Sequence, residues 1–151
     1  MRTVIQRVKK ATVTIGDVQR SSIGHGMLVL LGVENTDTDD DVKWLCKKII
    51  GLRIFDDERG VMNHSVTEAS GEILVVSQFT LYASVKKGNR PSYVRASNPD
   101  FAVSMYEKFI KTLQAEVGKI VQVGEFRANM QVSLVNDGPV TIIIDTKNKD
   151  F

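Results

Sequence analysis

Met27-Leu28-Val29-Leu30-Leu31-Gly32-Val33 is a run without a single polar side chain, preceded by Gly24 and Gly26 on either side of His25. A strand with one wet face alternates polar and apolar residues, so an unbroken apolar run predicts a strand buried on both faces. Two layers of other structure must cover it. Upstream, residues 3–8 and 11–15 are rich in β-branched side chains, and Gly16-Asp17 reads as a tight turn into a strand over 18–23. Downstream, Thr38 caps a helix with Asp39, Asp40 and Asp41 at its positive end and Lys47 and Lys48 near its negative end. Val42, Leu45, Cys46 and Ile49 make one apolar stripe on that helix, and Gly51 is a natural stop.

Further along, residues 52–55 read as a strand, followed by a polar turn over 56–60. Ile73-Leu74-Val75-Val76 is a short β-rich run leading into Ser77-Gln78-Phe79-Thr80-Leu81-Tyr82. A second helix is marked by Asn98 as cap, Pro99 at the first helical position and Asp100 just inside, with Phe101, Met105, Phe109 and Leu113 as its buried face. Strands over 120–123, 130–135 and 140–144 close the chain, the last two joined by a tight reversal at Asn136-Asp137-Gly138-Pro139. Two helices cannot cover both faces of so large a sheet. The expected fold is α+β: one domain over residues 1–151, a mostly antiparallel, barrel-like sheet with two main helices, its remaining face closed by a two-fold dimer.

Composition narrows the function. With 151 residues, 42% of them hydrophobic and 25% charged, the chain has the make-up of a folded domain and not of a disordered one. No apolar stretch approaches the ~20 residues of a membrane span, and charged residues interrupt the opening segment where a secretory leader would be apolar. The expected address is the cytoplasm, with no membrane partner. A net charge of +2 does not announce a nucleic-acid binder. Cys46, the one cysteine, excludes an internal disulfide and a thiolate zinc cluster; it reads as core packing. His25 and His64, the two histidines, read as a turn residue and a surface loop residue, so neither a metal site nor a Ser-His-Asp arrangement is expected, and no cofactor.

Three features could carry chemistry. Ser77, Gln78 and Thr80 are polar groups directly after an apolar strand, where ligands meet sheets, though the same groups also serve to cap backbone at a strand end. Gly138-Pro139 is either an ordinary turn, since only ~5–6% of X–Pro bonds are cis, or a rigid rim whose carbonyl oxygens point the same way. Lys86, Lys87 and Arg90 form a charged loop that is either solvated or a phosphate contact.

Taken together, these segments resemble the D-aminoacyl-tRNA deacylases. The likeness runs nearly end to end, through residues 1–8, Leu52-Arg53-Ile54-Phe55, Ser77-Gln78-Phe79-Thr80-Leu81-Tyr82, Lys87-Gly88-Asn89-Arg90-Pro91 and Asn136-Asp137-Gly138-Pro139-Val140-Thr141. The resemblance implies an enzyme that hydrolyses the ester between a D-amino acid and the 3′-terminal ribose of tRNA, and removes glycine mischarged on tRNA-Ala. It implies a homodimer with the active site at the subunit interface and a cis Gly138-Pro139 reaching into the partner's pocket beside Ser77, Gln78, Phe79 and Thr80. Arg7 matches the arginine that holds this turn, and Met130 a methionine near the pocket. The Gly138-Pro139 carbonyls would then exclude an L side chain by sterics, while glycine passes. For catalysis the alternatives are Thr80 as nucleophile, or a ribose 2′-hydroxyl that activates water while backbone N–H groups near Phe79 and Thr80 hold the oxyanion; the scarcity of bases favours the second. Lys86, Lys87 and Arg90 would contact the tRNA. One departure stands out: Phe126-Arg127-Ala128-Asn129 carries arginine where the family has glycine. The competing readings are a relative with a trans Gly-Pro and relaxed chirality, a non-catalytic tRNA-binding module, and an esterase for small esters.

Overall fold

A computed structural model describes residues 1–150. In chain order the elements are β1 (Arg2–Ile15), β2 (Val18–Ile23), β3 (Gly26–Gly32), α1 (Asp39–Gly51), β4 (Phe55–Asp56), β5 (Met62–His64), β6 (Glu72–Ser77), a 3-10 turn (Phe79–Tyr82), α2 (Pro99–Val117), β7 (Gln122–Val123) and β8 (Met130–Asp145). β1 is the spine. At the break expected after Val8 the strand runs on through the exposed Lys9 and Lys10, but its pairing changes: β3 ends there, β2 begins beyond, and the register to β8 shifts. Along one edge β1 pairs antiparallel with β3 through its first half and with β2 through its second; along the other it pairs with β8 over nearly its whole length.

β3 then pairs parallel with β6, and β6 with β7. Parallel neighbours need crossovers, and α1 and α2 lie in those two connections. This is why 27–33 reads as it does: Met27, Val29 and Leu31 face one core while Leu28 faces another. The first core lies under the helices, where Leu45 and Ile49 of α1 and Phe109 and Leu113 of α2 are fully buried with Ile5 and Val75. Both helix starts are as expected. Thr38 forms a capping box with Asp41, and Asn98 Oδ1 accepts from the Phe101 N–H at 3.0 Å. α2 stops at Gly118, left-handed at φ 67°, whereas Gly51 is still helical and Leu52 caps α1 in an extended conformation.

The second face closes as the expected barrel-like sheet. The sheet curls until β2 approaches β6 and β7, giving a nearly closed barrel that buries Val8, Val13, Ile23, Leu28, Leu74 and Val76 against one another. The strand expected over 52–55 shrinks to β4, which pairs with β5, an element the sequence did not announce. His64 is therefore a half-buried strand residue and not a loop residue. The 120–123 strand shrinks to β7, with Ile120 81% exposed.

The largest correction concerns Asn136-Asp137-Gly138-Pro139. No reversal occurs: β8 keeps its direction past these residues. Gln6 pairs with Thr141 and Val8 with Asn136, so Arg7 alone faces residues 137–140. The surplus leaves the ladder as a bulge. A bulge carries the same turn-forming residues as a hairpin, which is why sequence alone read one for the other. Among the described residues no helix is long and apolar enough to cross a membrane, and no cluster of three or more His, Cys, Asp or Glu is placed to hold a metal ion.

Candidate active site

Where β6 ends, the chain turns sharply into the 3-10 turn. The Gln78 N–H donates to the Leu31 carbonyl at 2.8 Å, which ties the turn to the end of β3. Gly32 makes this approach possible: a Cβ there would sit 3.1 Å from the Gln78 carbonyl oxygen and 3.2 Å from Tyr82. From the other side, Arg2 donates through Nη1 to the Leu81 carbonyl at 2.9 Å while its Nε and Nη2 hold Asp145 Oδ2 at 2.9 and 2.7 Å. The Phe79 and Thr80 N–H groups open the turn, where a helical segment offers them no carbonyl. Gln78 Nε2 donates a short hydrogen bond to Thr80 Oγ1.

This turn borders a cavity of about 650 Å³. Ser77, Gln78 and Phe79 line it on one side and Met130 on another. Gly124 leaves Met130 its place, since a Cβ on Gly124 would meet the Met130 sulfur at 2.6 Å. The floor is apolar, with Leu31 and Val76 of the sheet, and Tyr106 crosses beneath to donate from its hydroxyl to the Val75 carbonyl at 2.9 Å. Burial pushes the Tyr106 phenol well above its ordinary range, so it stays a neutral donor. At the mouth, Phe79 and Tyr93 meet edge to face, ring centroids 5.0 Å apart. The paired Ser84 and Ser92, whose N–H groups donate to each other's carbonyls at 2.8 and 2.9 Å, bring Tyr93 back to this position.

Not every expected residue is here. Thr80 lies behind Gln78 and does not line the cavity. Lys86, Lys87 and Arg90 are exposed on the loop beyond the Ser84–Ser92 bridge, also outside the lining. Arg7, Gly138 and Pro139 form a separate cluster. Arg7, only 6% exposed, donates from Nε to the Asp137 carbonyl at 3.2 Å and from Nη1 to the Ile54 carbonyl and Asp56 Oδ1 at 2.7 and 3.0 Å. Asn136 Oδ1 accepts from Gln6 Nε2 at 3.1 Å. So braced, the bulge presents Gly138 and Pro139 to solvent, joined by a cis peptide bond. Neither residue lines its own chain's cavity. Cys46 is out of play, its thiol pushed up to about 12 by burial and by the charge of Glu116.

Sequence reasoning missed Tyr93 and Tyr106 as cavity residues, and marked Phe126-Arg127 only as a departure in the loop before Met130. Only Tyr106 carried a signal, as a polar-tipped ring on the flank of an apolar stripe. The others depend on loops whose course no local pattern fixes.

Comparison with known proteins now bears on this geometry. Residues 4–145 match the family described as D-Tyr-tRNA(Tyr) deacylase. The chain belongs to that family. It is 61% identical over 150 residues to a D-aminoacyl-tRNA deacylase of Parabacteroides distasonis, covering 99% of this chain and 100% of the relative. A D-aminoacyl-tRNA deacylase of Flavobacterium johnsoniae is 56% identical over the same span. Among solved structures, a c-Myc DNA unwinding element binding protein superposes with a TM-score of 0.92 at 42% identity, covering 96% of this chain and 98% of that one. A probable eukaryotic D-amino acid tRNA deacylase, at 18% identity and TM-score 0.82, shares the fold. The family is one of hydrolases.

Proposed function

We propose that this enzyme hydrolyses the ester of D-aminoacyl-tRNA, releasing the free D-amino acid and tRNA, and that it does so as a two-fold dimer in the cytoplasm. The observation that carries the reading is the likeness to D-aminoacyl-tRNA deacylases over 99% of the chain. The cavity supports it: large enough for an amino acid and part of a nucleoside, apolar on its floor, polar only where Ser77, Gln78 and the opening amides of the 3-10 turn gather.

In this reading the aminoacyl carbonyl lies against the Phe79 and Thr80 N–H groups. Water adds to the carbonyl carbon, the negative charge develops toward those amides, and the ester C–O bond breaks with the proton passing to the ribose 3′-oxygen. The Thr80 hydroxyl is a poor nucleophile here. It stands outside the cavity lining, and its partner is the Gln78 amide, which is no base in either orientation. The adjacent ribose 2′-hydroxyl supplies the polar group that positions water.

Selectivity comes from a second copy. The Gly138-Pro139 bulge is exposed, braced by Arg7, and lines no part of its own cavity. Seated in the partner's cavity, its main-chain carbonyls would stand where an L side chain must go. A hydrogen fits there, so D-aminoacyl and glycyl esters pass, the latter including glycine mischarged on tRNA-Ala. Lys86, Lys87 and Arg90 then face the tRNA from outside the pocket. The test compares D- and L-aminoacyl-tRNA, and a D-substrate ending in 2′-deoxyribose. Turnover of the D-ester alone is expected, with a large loss on the deoxy substrate and a small one for Thr80→Ala. Equal turnover of D- and L-esters ends the chirality reading; equal turnover of ribose and deoxyribose ends the assisted mechanism.

A further inference from the structure

Arg127 is the one charged residue lining the cavity among the described residues. It sits on the loop between β7 and β8, with Phe126 and Ala128 beside it also lining the wall. Its backbone is left-handed, φ 65°, a conformation that costs an L side chain about 1–2 kcal/mol. Only Ser70 shares this among the described non-glycine residues.

The ion pair that Arg127 makes offsets little of that cost. The Arg127 Nη2 reaches Asp100 Oδ1 at 3.2 Å, but the two side chains are 61% and 98% exposed, and a pair so wet contributes at most about 1 kcal/mol. Asp100 stands in the first turn of α2, next to Pro99, which also lines the cavity. The pair therefore spans the rim, one partner on each side, and is weak enough to be exchanged.

We infer that Arg127 is a positioning residue that gives up Asp100 for a backbone phosphate of the substrate's 3′-terminal nucleotide. The inference rests on the deacylase reading. With the ester seated against the 3-10 turn, the same ribose carries its 5′-phosphate out toward solvent, and a phosphodiester crossing this rim, one negative charge shared over two oxygens, meets a planar guanidinium suited to grip both at once. Asp100 keeps the fork aimed across the mouth until the phosphate arrives.

The test uses Arg127→Gly, which removes the guanidinium and relieves the left-handed backbone, together with Asp100→Asn. Each is assayed on a D-aminoacyl-tRNA and on the matching D-aminoacyl-adenosine, which has no phosphate, across a series of salt concentrations. Arg127→Gly is expected to lower kcat/KM on the tRNA about tenfold, through KM, as the loss of one charge-assisted contact implies. The loss on the adenosine ester should be several times smaller, and the salt dependence on tRNA should become shallower by about 0.7 in its logarithmic slope. Asp100→Asn should lower KM on tRNA. An equal loss on both substrates, or an unaltered salt slope, overturns this inference alone. Failure of the unaltered enzyme to turn over either substrate overturns the deacylase reading and this inference with it.

Discussion

Gly138 faces two demands at once. Its φ is +116°, open only to glycine at low cost, and a Cβ there would sit 2.7 Å from Arg7 Nη2 and 3.0 Å from Val140. Arg7 cannot retreat, because its other donors hold the Ile54 carbonyl and Asp56. Gly138→Ala is therefore expected to cost about 1–3 kcal/mol, combining backbone strain with overpacking. For a chain of this length that lowers the melting temperature by several degrees, on the order of 2–4 °C per kcal/mol. An unchanged melting curve would show that the bulge yields freely, and that Arg7 does not brace it. At this scale much of the site was legible. Ser77, Gln78, Phe79 and Met130 were expected at a pocket and border one. Tyr93 and Arg127 were not, since they reach the cavity only through loop paths set by a two-serine bridge and a left-handed residue.

Elements were legible where capping and periodicity agree. Thr38 with its acidic first turn, and Asn98-Pro99, set both helix starts because cap chemistry is local. The strands were harder. β1 was split at Lys9-Lys10, where the partner changes from β3 to β2 and the register to β8 shifts although the strand itself runs on, and β4, β5 and β7 are too short for any period to register. The fastening of β1 to β8 carries a pH dependence. Burial works against the Asp145 charge, but the Arg2 guanidinium and the Lys147 and Asn148 N–H groups outweigh it and hold the carboxyl below the usual range. The folded chain thus binds that proton less tightly than the unfolded one, whose Asp titrates near ~3.9. The stabilisation is complete above that value and is lost as pH falls from about 4 through the lower folded value. Asp145→Asn is expected to cost about 2–3 kcal/mol near neutrality, as a charge-assisted bond is broken. Its deficit relative to the parent chain should shrink in denaturant titrations below pH 4. A gap of constant size from pH 7 to 3 would assign the loss to something other than this charge.

For the whole molecule, the expected barrel-like sheet with two helices is what the chain forms. The curl that brings β2 toward β6 and β7 follows from strand twist accumulated across the sheet, which no residue pattern encodes. What stays outward is the far edge of β8, which pairs with β1 alone, and the exposed bulge at its middle. A second copy is the partner the proposed filter calls for, since Gly138 and Pro139 line no part of their own chain's cavity. Light scattering should return twice the mass of the chain at micromolar concentration, and dilution to the monomer should abolish discrimination between D- and L-esters. A monomer that still discriminates would place the filter within one chain.

Arg2 grips both Asp145 near the end of the chain and the carbonyl of Leu81 behind the reactive turn. Fraying where the last strand leaves the barrel is therefore not a remote event. Release of Asp145 would free the guanidinium that also holds the Leu81 carbonyl, so the seating of the last strand and the set of the turn share one anchor.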